Sequence, residues 1–203
     1  SPANRSPVPF FYGIMEKRIR IFPSGVCRMH PIPDHLTYGL SIWFVGYNPS
    51  LRSGETGHHY ANPSNRFWKI IYAAGLTPRL YKPEEDSGLL KLGLGLTNIV
   101  ARPTRTAAEI TQEEYEEGRL RLLEKIKRYH PKAVCFVGKG VYRQFSGRKD
   151  IEWGEQPDPV VKGTIEYVVP STSGLVRMKT DEVAEIFRGL TKYAPFSKGG
   201  NAV

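Results

Sequence analysis

The chain has 203 residues and a formal net charge of +9 at pH 7, from 29 Lys and Arg against 20 Asp and Glu. Hydrophobic residues make up 40% and charged residues 24%, which suits a globular protein and excludes a disordered, collagen-like or coiled-coil chain. No run of about eighteen apolar residues is present, so we expect no membrane-spanning segment. The pI of about 9.6 is typical of nucleic-acid-binding proteins, but other basic proteins share it.

Apolar runs and capping residues predict alternating strands and helices. In chain order these are a strand at 40–46, a long loop at 47–64, a helix at 65–75, a short helix at 84–91, a strand at 93–100, a helix at 110–131, a strand at 133–138, a helix at 139–147, a strand at 164–171 and a helix at 180–193. Ser64 is the expected N-cap of the first helix. Thr111 and Glu114 have the spacing of a capping box at the start of the third.

This alternation predicts an α/β fold in which a mostly parallel, four-stranded central sheet lies between two layers of helices. We expect a single domain at residues 10–194, with flexible tails at 1–9 and 195–203. Ligands of such sheets bind beyond the carboxyl ends of the strands. The loops at those ends contain YNPS, TNIVARPT and PSTSGLVRM, so a ligand site is expected among them.

Common cofactor and metal signatures are absent from the sequence. The GKG at 138–140 lacks the spaced first glycine and the hydroxyl residue of a phosphate-binding loop, and the GLG at 93–95 lacks the third glycine of a dinucleotide fingerprint. The five histidines lack the spacing of a zinc-binding helix. Cys135 lies in an apolar run and is expected to be a buried free thiol. We therefore expect neither a metal ion nor a cofactor.

Five ordered segments carry a resemblance: GYNPS (46–50), GHHYANPSNRFWKIIYAAGLTP (57–78), GLGLTNIVARPT (93–104), FVGKGVY (136–142) and VPSTSGLVRM (169–178). They resemble the mismatch-specific uracil/thymine-DNA glycosylases, a family of the uracil-DNA glycosylase superfamily. The second and fifth segments are long and specific. The resemblance implies the fold of that superfamily and a DNA repair enzyme that hydrolyses the N-glycosidic bond of uracil, or of thymine, mispaired with guanine.

The resemblance also implies roles in a pocket for a flipped base. Asn48 would position the hydrolytic water, Tyr60 would stack on the base, and Asn98 would contact it. Three further residues would line the pocket: Tyr47, Ser53 and His59.

The fifth segment would be a wedge loop that enters the duplex. Ser171 and Ser173 would grip phosphates, and Leu175 would occupy the space that the base leaves. The rest of the loop would contact the widowed guanine through its backbone or contact the strand: Gly174, Val176 and Arg177.

The chemistry of these residue types is consistent with that resemblance. An enzyme that acts on a base must take it out of the duplex, stack it and read its edge. An Asn amide cannot act as a strong general base at pH 7, so the reaction would depend on a leaving pyrimidine anion and an oxocarbenium-like sugar. We expect slow turnover, because base catalysis worth about 10²–10⁴-fold is forgone. No lysine is implicated as a Schiff-base nucleophile, which predicts a monofunctional enzyme that leaves an abasic site.

Three residues bear on substrate choice. Tyr47 stands where the family usually has an aliphatic residue, Ser50 where it usually has Gly, and Ser53 where it varies between Ser and Ala. A hydroxyl at Ser53 narrows the space for a 5-methyl group, so uracil is the first expected substrate and thymine the second. The expected partner is double-stranded DNA with a G·U or G·T mismatch. We expect a monomer, nuclear in a eukaryote and cytoplasmic, beside the nucleoid, in a bacterium.

Other interpretations stay open. An Asn-Pro after a strand is commonly a turn, Tyr60 can be a packing residue, His59 can be a satisfied pocket histidine, and Glu55 is a rival general base. A catalytically silent DNA-binding module of the same fold would bind DNA in a salt-dependent manner without releasing a base. A small-molecule α/β enzyme, such as a nucleotide hydrolase, would act on free nucleotides.

Overall fold

A computed structural model describes residues 31–195; the tail predicted at 1–9 and residues 196–203 lie outside this part of the chain. Its centre is a five-stranded sheet with the order β2-β1-β3-β5-β4. The strands are β1 (Ile42–Gly46), β2 (Leu94–Asn98), β3 (Ala133–Val137), β4 (Gly154–Glu155) and β5 (Ile165–Val169).

The first three strands and β5 run parallel, as predicted, whereas β4 pairs antiparallel with β5. The predicted count of four strands is therefore one too low. The missed strand, Gly154–Glu155, has only two residues, which is too short to show the alternation of side chains that marks a strand in a sequence.

Helices cover both faces of the sheet, which confirms the three-layer architecture. They are α1 (Leu51–Thr56), α2 (Phe67–Ala73), α3 (Gln112–Tyr129), α4 (Lys139–Ser146) and α5 (Thr180–Arg188), with 3₁₀ helices at Pro83–Leu92, Ala107–Glu109 and Gly189–Lys192. Within residues 31–195, no helix has the combined length and apolar character needed to cross a bilayer.

The core has two halves because successive strand side chains point to opposite faces of a sheet. Ile42 and Phe44 pack with α2 and α5 on one face, while Trp43 and Val45 pack with α3 and α4 on the other. Cys135 is a fully buried free thiol, as predicted, and burial raises its pKa.

Hydrogen bonds at the helix N-termini explain which predicted helix starts were right and which were wrong. Thr111 and Glu114 form the predicted capping box of α3. Ser64 is not the N-cap of α2, because its N–H and hydroxyl both donate to Asn62 Oδ1; the cap position is Arg66. The predicted loop at 47–64 contains α1, whose N-cap is Ser50.

Candidate active site

A cavity of about 310 Å³ opens at the carboxyl edge of the sheet, where parallel α/β folds bind their ligands. It brings together most of the predicted site residues: Tyr47, Asn48, Ser53, His59, Tyr60, Asn98, Ser171, Ser173 and Leu175. The three predicted residues that do not line it belong to the same loop as Leu175: Gly174, Val176 and Arg177.

The orientation of the Asn48 amide is determined by its hydrogen bonds. Nδ2 donates to the carbonyl oxygen of Arg102 at 2.8 Å and to Thr104 Oγ1 at 2.7 Å. The Thr104 hydroxyl donates its own proton to the carbonyl oxygen of Thr106 at 2.7 Å, so it can only accept from Asn48. Both partners therefore require the amide nitrogen. Asn48 Oδ1 accepts nothing from residues 31–195 and is the atom left to bind a water in the cavity.

The segment that supplies these partners was not assigned a role from the sequence. Thr104, Arg105, Thr106 and Ala107 all line the cavity. Thr104 N–H donates to the Pro49 carbonyl oxygen at 3.1 Å, which holds this segment beside the Asn-Pro turn. The sequence signal for this segment is the ARPT that ends GLGLTNIVARPT (93–104), a stretch in which only Asn98 has a predicted role.

Tyr60 has the position of a stacking platform. One face of its ring stacks on Phe67, with centroids 3.8 Å apart and planes 9° apart, so the other face is the one available to a planar base. A Cβ at Gly46 would lie 2.6 Å from Asn98 Oδ1 and 3.3 Å from the Tyr60 hydroxyl oxygen. Glycine at the end of β1 therefore leaves the space that these two side chains occupy in the cavity lining.

The Tyr60 hydroxyl is buried and has no hydrogen-bond partner among the described residues, and burial raises its pKa. We expect Tyr60→Phe to raise the free energy of unfolding by about 1 kcal/mol, because an unpaired buried hydroxyl costs about 1–3 kcal/mol. Urea denaturation measures the change.

Tyr142→Phe is the matched control, since it removes a hydroxyl that donates to Glu166 Oε2 at 2.7 Å. That variant should be less stable than wild type, because the buried carboxylate loses a partner. If Tyr60→Phe lowered stability by as much as Tyr142→Phe, the Tyr60 hydroxyl would have to be paired in the folded protein.

His59 is a buried, fully positioned histidine. Its Nε2 donates to the Pro33 carbonyl oxygen at 2.9 Å, which places the ring proton on that nitrogen, and its backbone N–H donates to Asp86 Oδ2 at 2.9 Å. Burial lowers the pKa of His59, so the ring is neutral at pH 7. This geometry matches the interpretation of a satisfied pocket histidine. Asp86 was not identified from the sequence, because only the fold brings it to residue 59.

Ser50 and Ser53 together present one hydroxyl proton to the cavity. Ser53 N–H donates to Ser50 Oγ at 3.1 Å, Ala61 N–H donates to Ser53 Oγ at 3.2 Å, and the two hydroxyl oxygens are 3.2 Å apart. One of the two hydroxyl protons joins the pair. The other has no acceptor among the described residues, and both serines line the cavity. The pair can therefore donate one hydrogen bond to a ligand.

Glu55 does not have the position of a general base. Its side chain does not line the cavity, and its carboxylate lies 3.6 Å from the Arg52 guanidinium on the exposed side of α1. Within residues 31–195, no group of three or more His, Cys, Asp or Glu side chains is arranged to hold a metal ion.

Tyr47 forms part of the cavity wall next to α4. A Cβ at Gly140 would lie 1.7 Å from the Tyr47 hydroxyl oxygen, so the second glycine of the GKG leaves room for this ring. Burial raises the pKa of Tyr47. The GKG is thus explained by packing against the Tyr47 ring. The mismatch-specific glycosylases that the sequence resembles usually have an aliphatic residue at the position of Tyr47.

Hydrogen bonds from Arg66 hold the predicted wedge loop in place. Its guanidinium donates to the carbonyl oxygens of Met178 at 2.8 Å and Val176 at 3.2 Å, and its backbone N–H donates to the Thr172 carbonyl oxygen at 2.9 Å. Leu175, by contrast, is 91% exposed and does not belong to the core. An apolar side chain is thereby presented to solvent on an anchored loop.

A second set of contacts ties this loop to the NPSNRFW segment. Thr172 Oγ1 donates to Asn65 Oδ1 at 2.8 Å, and a Cβ at Gly174 would lie 2.8 Å from the Ser64 carbonyl oxygen. Gly174 is therefore required by a close approach of two backbones. Asn65 and Arg66 lie within the segment 57–78, but nothing in the sequence indicates that they contact residues more than 100 positions away.

Two comparisons with known proteins identify the family and the fold of the chain. The family model of the uracil DNA glycosylase superfamily matches residues 33–193. The fold is similar to the solution NMR structure of a protein from Methanosarcina acetivorans that is provisionally named a uracil DNA glycosylase, with a TM-score of 0.50 and 22% identity over 80% of this chain and 98% of that chain. At that identity the likeness shows the fold alone. Because the family match includes every element that builds the cavity, the chain belongs to the uracil DNA glycosylase superfamily.

Proposed function

We propose that the protein is a monofunctional DNA glycosylase that hydrolyses the N-glycosidic bond of uracil mispaired with guanine in double-stranded DNA, with thymine as a weaker substrate. Superfamily membership gives the coarser class, a DNA glycosylase. The observation that carries the proposal is the shared cavity. There the Asn48 amide is fixed by two hydrogen bonds, its Oδ1 has no partner among residues 31–195, and the Tyr60 ring has one face free of Phe67.

The geometry supports a mechanism without a strong general base. A flipped base stacks on Tyr60, and the Asn48 carbonyl oxygen holds a water against the sugar. Because an amide takes up no proton at pH 7, the bond to the base breaks largely before the water attacks, and the sugar gains oxocarbenium character. The proton that the water loses when it bonds to the sugar is taken up by the departed pyrimidine anion. Asn98 lines the cavity, and its side-chain amide has no hydrogen-bond partner in the described part of the chain, so it is available to the departing pyrimidine.

The hydroxyl pair of Ser50 and Ser53 supports recognition of a carbonyl-bearing base. A donor in the pocket pairs with O4 of uracil or thymine, whereas the amino group of cytosine at that position is itself a donor. A site built to donate a hydrogen bond disfavours a ligand that cannot accept one, because a buried polar group is then left unpaired. The hydroxyl donor therefore favours uracil, the deamination product of cytosine, over cytosine itself.

We expect Ser53→Ala to slow single-turnover excision of uracil by about 2- to 13-fold, the equivalent of one hydrogen bond worth about 0.5–1.5 kcal/mol. The same change should raise the ratio of thymine to uracil excision, because removal of Oγ makes room for the 5-methyl group. Parallel assays on G·U and G·T duplexes measure both effects.

Ser50→Gly is the control for this prediction. Glycine is tolerated at a helix N-cap, so stability should change by only a few tenths of a kcal/mol. Ser53 keeps its hydroxyl proton for the cavity, and the thymine to uracil ratio should stay at the wild-type value. An unchanged ratio in Ser53→Ala would show that this hydroxyl does not limit access of the methyl group.

The function is tested with an end-labelled duplex that contains one G·U pair, incubated with the protein and then treated with alkali. We expect strand cleavage at the uracil only after alkali, since a monofunctional enzyme leaves an intact abasic site. Salt-dependent binding with no cleavage would support the silent DNA-binding module instead. Turnover of free deoxyuridine nucleotides without any dependence on duplex would support the small-molecule enzyme.

A further inference from the structure

An aromatic side chain outside the cavity is exposed at the same edge of the sheet. The chain has three tryptophans, of which Trp43 and Trp68 are buried, while Trp153 is 37% exposed. Gly154 pairs with Val168 in the antiparallel ladder, so Trp153 lies at the carboxyl end of β5. That is where the chain enters the wedge loop at Ser171.

Two cations lie beside this indole. Lys139, the first residue of α4, places its ammonium 4.5 Å from the centre of the Trp153 ring. Arg143 lies one turn later on the same helix face, is exposed, and makes no ion pair with a described residue. Its positive charge lowers the pKa of Tyr47, but burial of Tyr47 raises that pKa by more. Among the described residues, neither Asp150 nor Glu152, the first two acidic residues after Arg143, forms an ion pair with Lys139 or Arg143.

The patch formed by Lys139, Arg143 and Trp153 adjoins the cavity wall. A Cβ at Gly138, just before Lys139, would lie 3.4 Å from the Tyr47 ring and 3.9 Å from Ser171 Cβ. The turn that presents Trp153 is also fixed, because the buried Gln156 side chain donates to the carbonyl oxygens of Glu152 at 2.8 Å and Gly154 at 3.0 Å. The indole is therefore held in place next to the cavity.

We propose that this patch is a second contact surface for duplex DNA, next to the flipped nucleotide. Lys139 and Arg143 pair with phosphates, and the Trp153 indole packs on the sugar–phosphate backbone between them. The charge complements a polyanion, and the surface continues directly from Tyr47 and Ser171. The inference rests on the proposed function in taking duplex DNA as the ligand, but it does not require the chemical step.

Trp153 provides a direct spectroscopic test because the other two tryptophans are buried. We expect acrylamide to quench the emission of the free protein, and quenching to fall when a duplex with a tetrahydrofuran abasic analogue opposite guanine is bound. Trp153→Phe should show weak quenching with and without DNA, which assigns the signal. Fluorescence anisotropy verifies that the protein is bound. If acrylamide then quenches Trp153 as strongly in the bound protein as in the free protein, the proposal is overturned.

Affinity for the same duplex provides the second measurement. Trp153→Ala should weaken binding several-fold, and Lys139→Gln should reduce the slope of log Kd against log salt by about 0.9, the contribution of one phosphate contact. Two controls lie at the opposite, amino edge of the sheet: the exposed Tyr38, changed to Ala, and Lys132 at the other end of β3, changed to Gln. Both should bind as wild type does; equal losses in patch and control variants would contradict the proposal.

The two proposals fail differently. Wild-type excision with Trp153 unprotected would overturn the second contact surface alone. Protection of Trp153 without any excision would support the surface and overturn the glycosylase mechanism.

Discussion

Asn48→Ala is expected to lower the single-turnover rate of uracil excision from a G·U duplex by about 10²-fold or more, since loss of a group that positions a reactant carries a penalty of this order. The residue is held by hydrogen bonds from its amide nitrogen to Arg102 and Thr104, and its carbonyl oxygen is the acceptor left in the cavity. Affinity for the abasic-analogue duplex should stay near the wild-type value, because Asn48 acts on the water and not on the DNA backbone.

Two further variants separate positioning from general damage to the cavity. Thr104→Val should cause a smaller loss than Asn48→Ala, because one of the two hydrogen bonds that orient the amide remains. Asn62→Ala removes another side-chain amide from the cavity lining. The oxygen of that amide already accepts hydrogen bonds from Ser64, so the effect of this change on the excision rate should be small. An Asn48→Ala rate within about twofold of wild type would remove Asn48 from the mechanism.

Leu175→Ala should slow excision from duplex DNA by about 10- to 100-fold while leaving excision from the single strand nearly unchanged. Extrusion of a base opens a gap in the stack, and burial of a leucine side chain in that gap contributes about 1.5–3 kcal/mol. A single strand has no stack to fill. Since Leu175 is 91% exposed, its truncation should not affect folding. The measurement compares single-turnover rates on the G·U duplex and on the uracil strand alone.

Leu120→Ala is the matched control, because Leu120 is a 58% exposed leucine on α3 and lies outside the cavity and the wedge loop. It should leave both rates at the wild-type value. Equal losses of Leu175→Ala on duplex and single strand would mean that the side chain serves the chemical step or the pocket. No loss on either substrate would mean that nothing at this position fills the gap.

Elements with local signals were predictable from the sequence. The capping box of Thr111 and Glu114 began α3 as expected, because both partners lie within one turn of chain. Local signals failed where two short-range interactions compete: the Ser64 hydroxyl bonds to Asn62 in a turn instead of capping α2, and Ser50 starts a helix inside a predicted loop. The two-residue strand β4 exists only because β5 is beside it.

Nine of the residues that line the cavity were predicted from the sequence, since loops at the carboxyl ends of parallel strands converge. Asn48 follows β1, and Asn98 is the last residue of the neighbouring strand β2, where it pairs with Gly46 at the end of the β1–β2 ladder. Thr104, Asp86 and Arg66 were not predictable as site residues. Each acts through a partner far away in sequence: Asn48, the His59 backbone and the Val176 carbonyl, respectively.

The order of apolar runs, caps and polar loop motifs determined the layered fold, the edge of the sheet that holds the cavity and the kinds of side chain that meet there. Only the tertiary structure decided how those side chains are oriented. The amide of Asn48 points its oxygen into the cavity because a carbonyl and a committed hydroxyl, 54 and 56 residues further along the chain, both accept from its nitrogen. A hydrogen bond has a direction, and no spacing in a sequence records which end of an amide is already occupied.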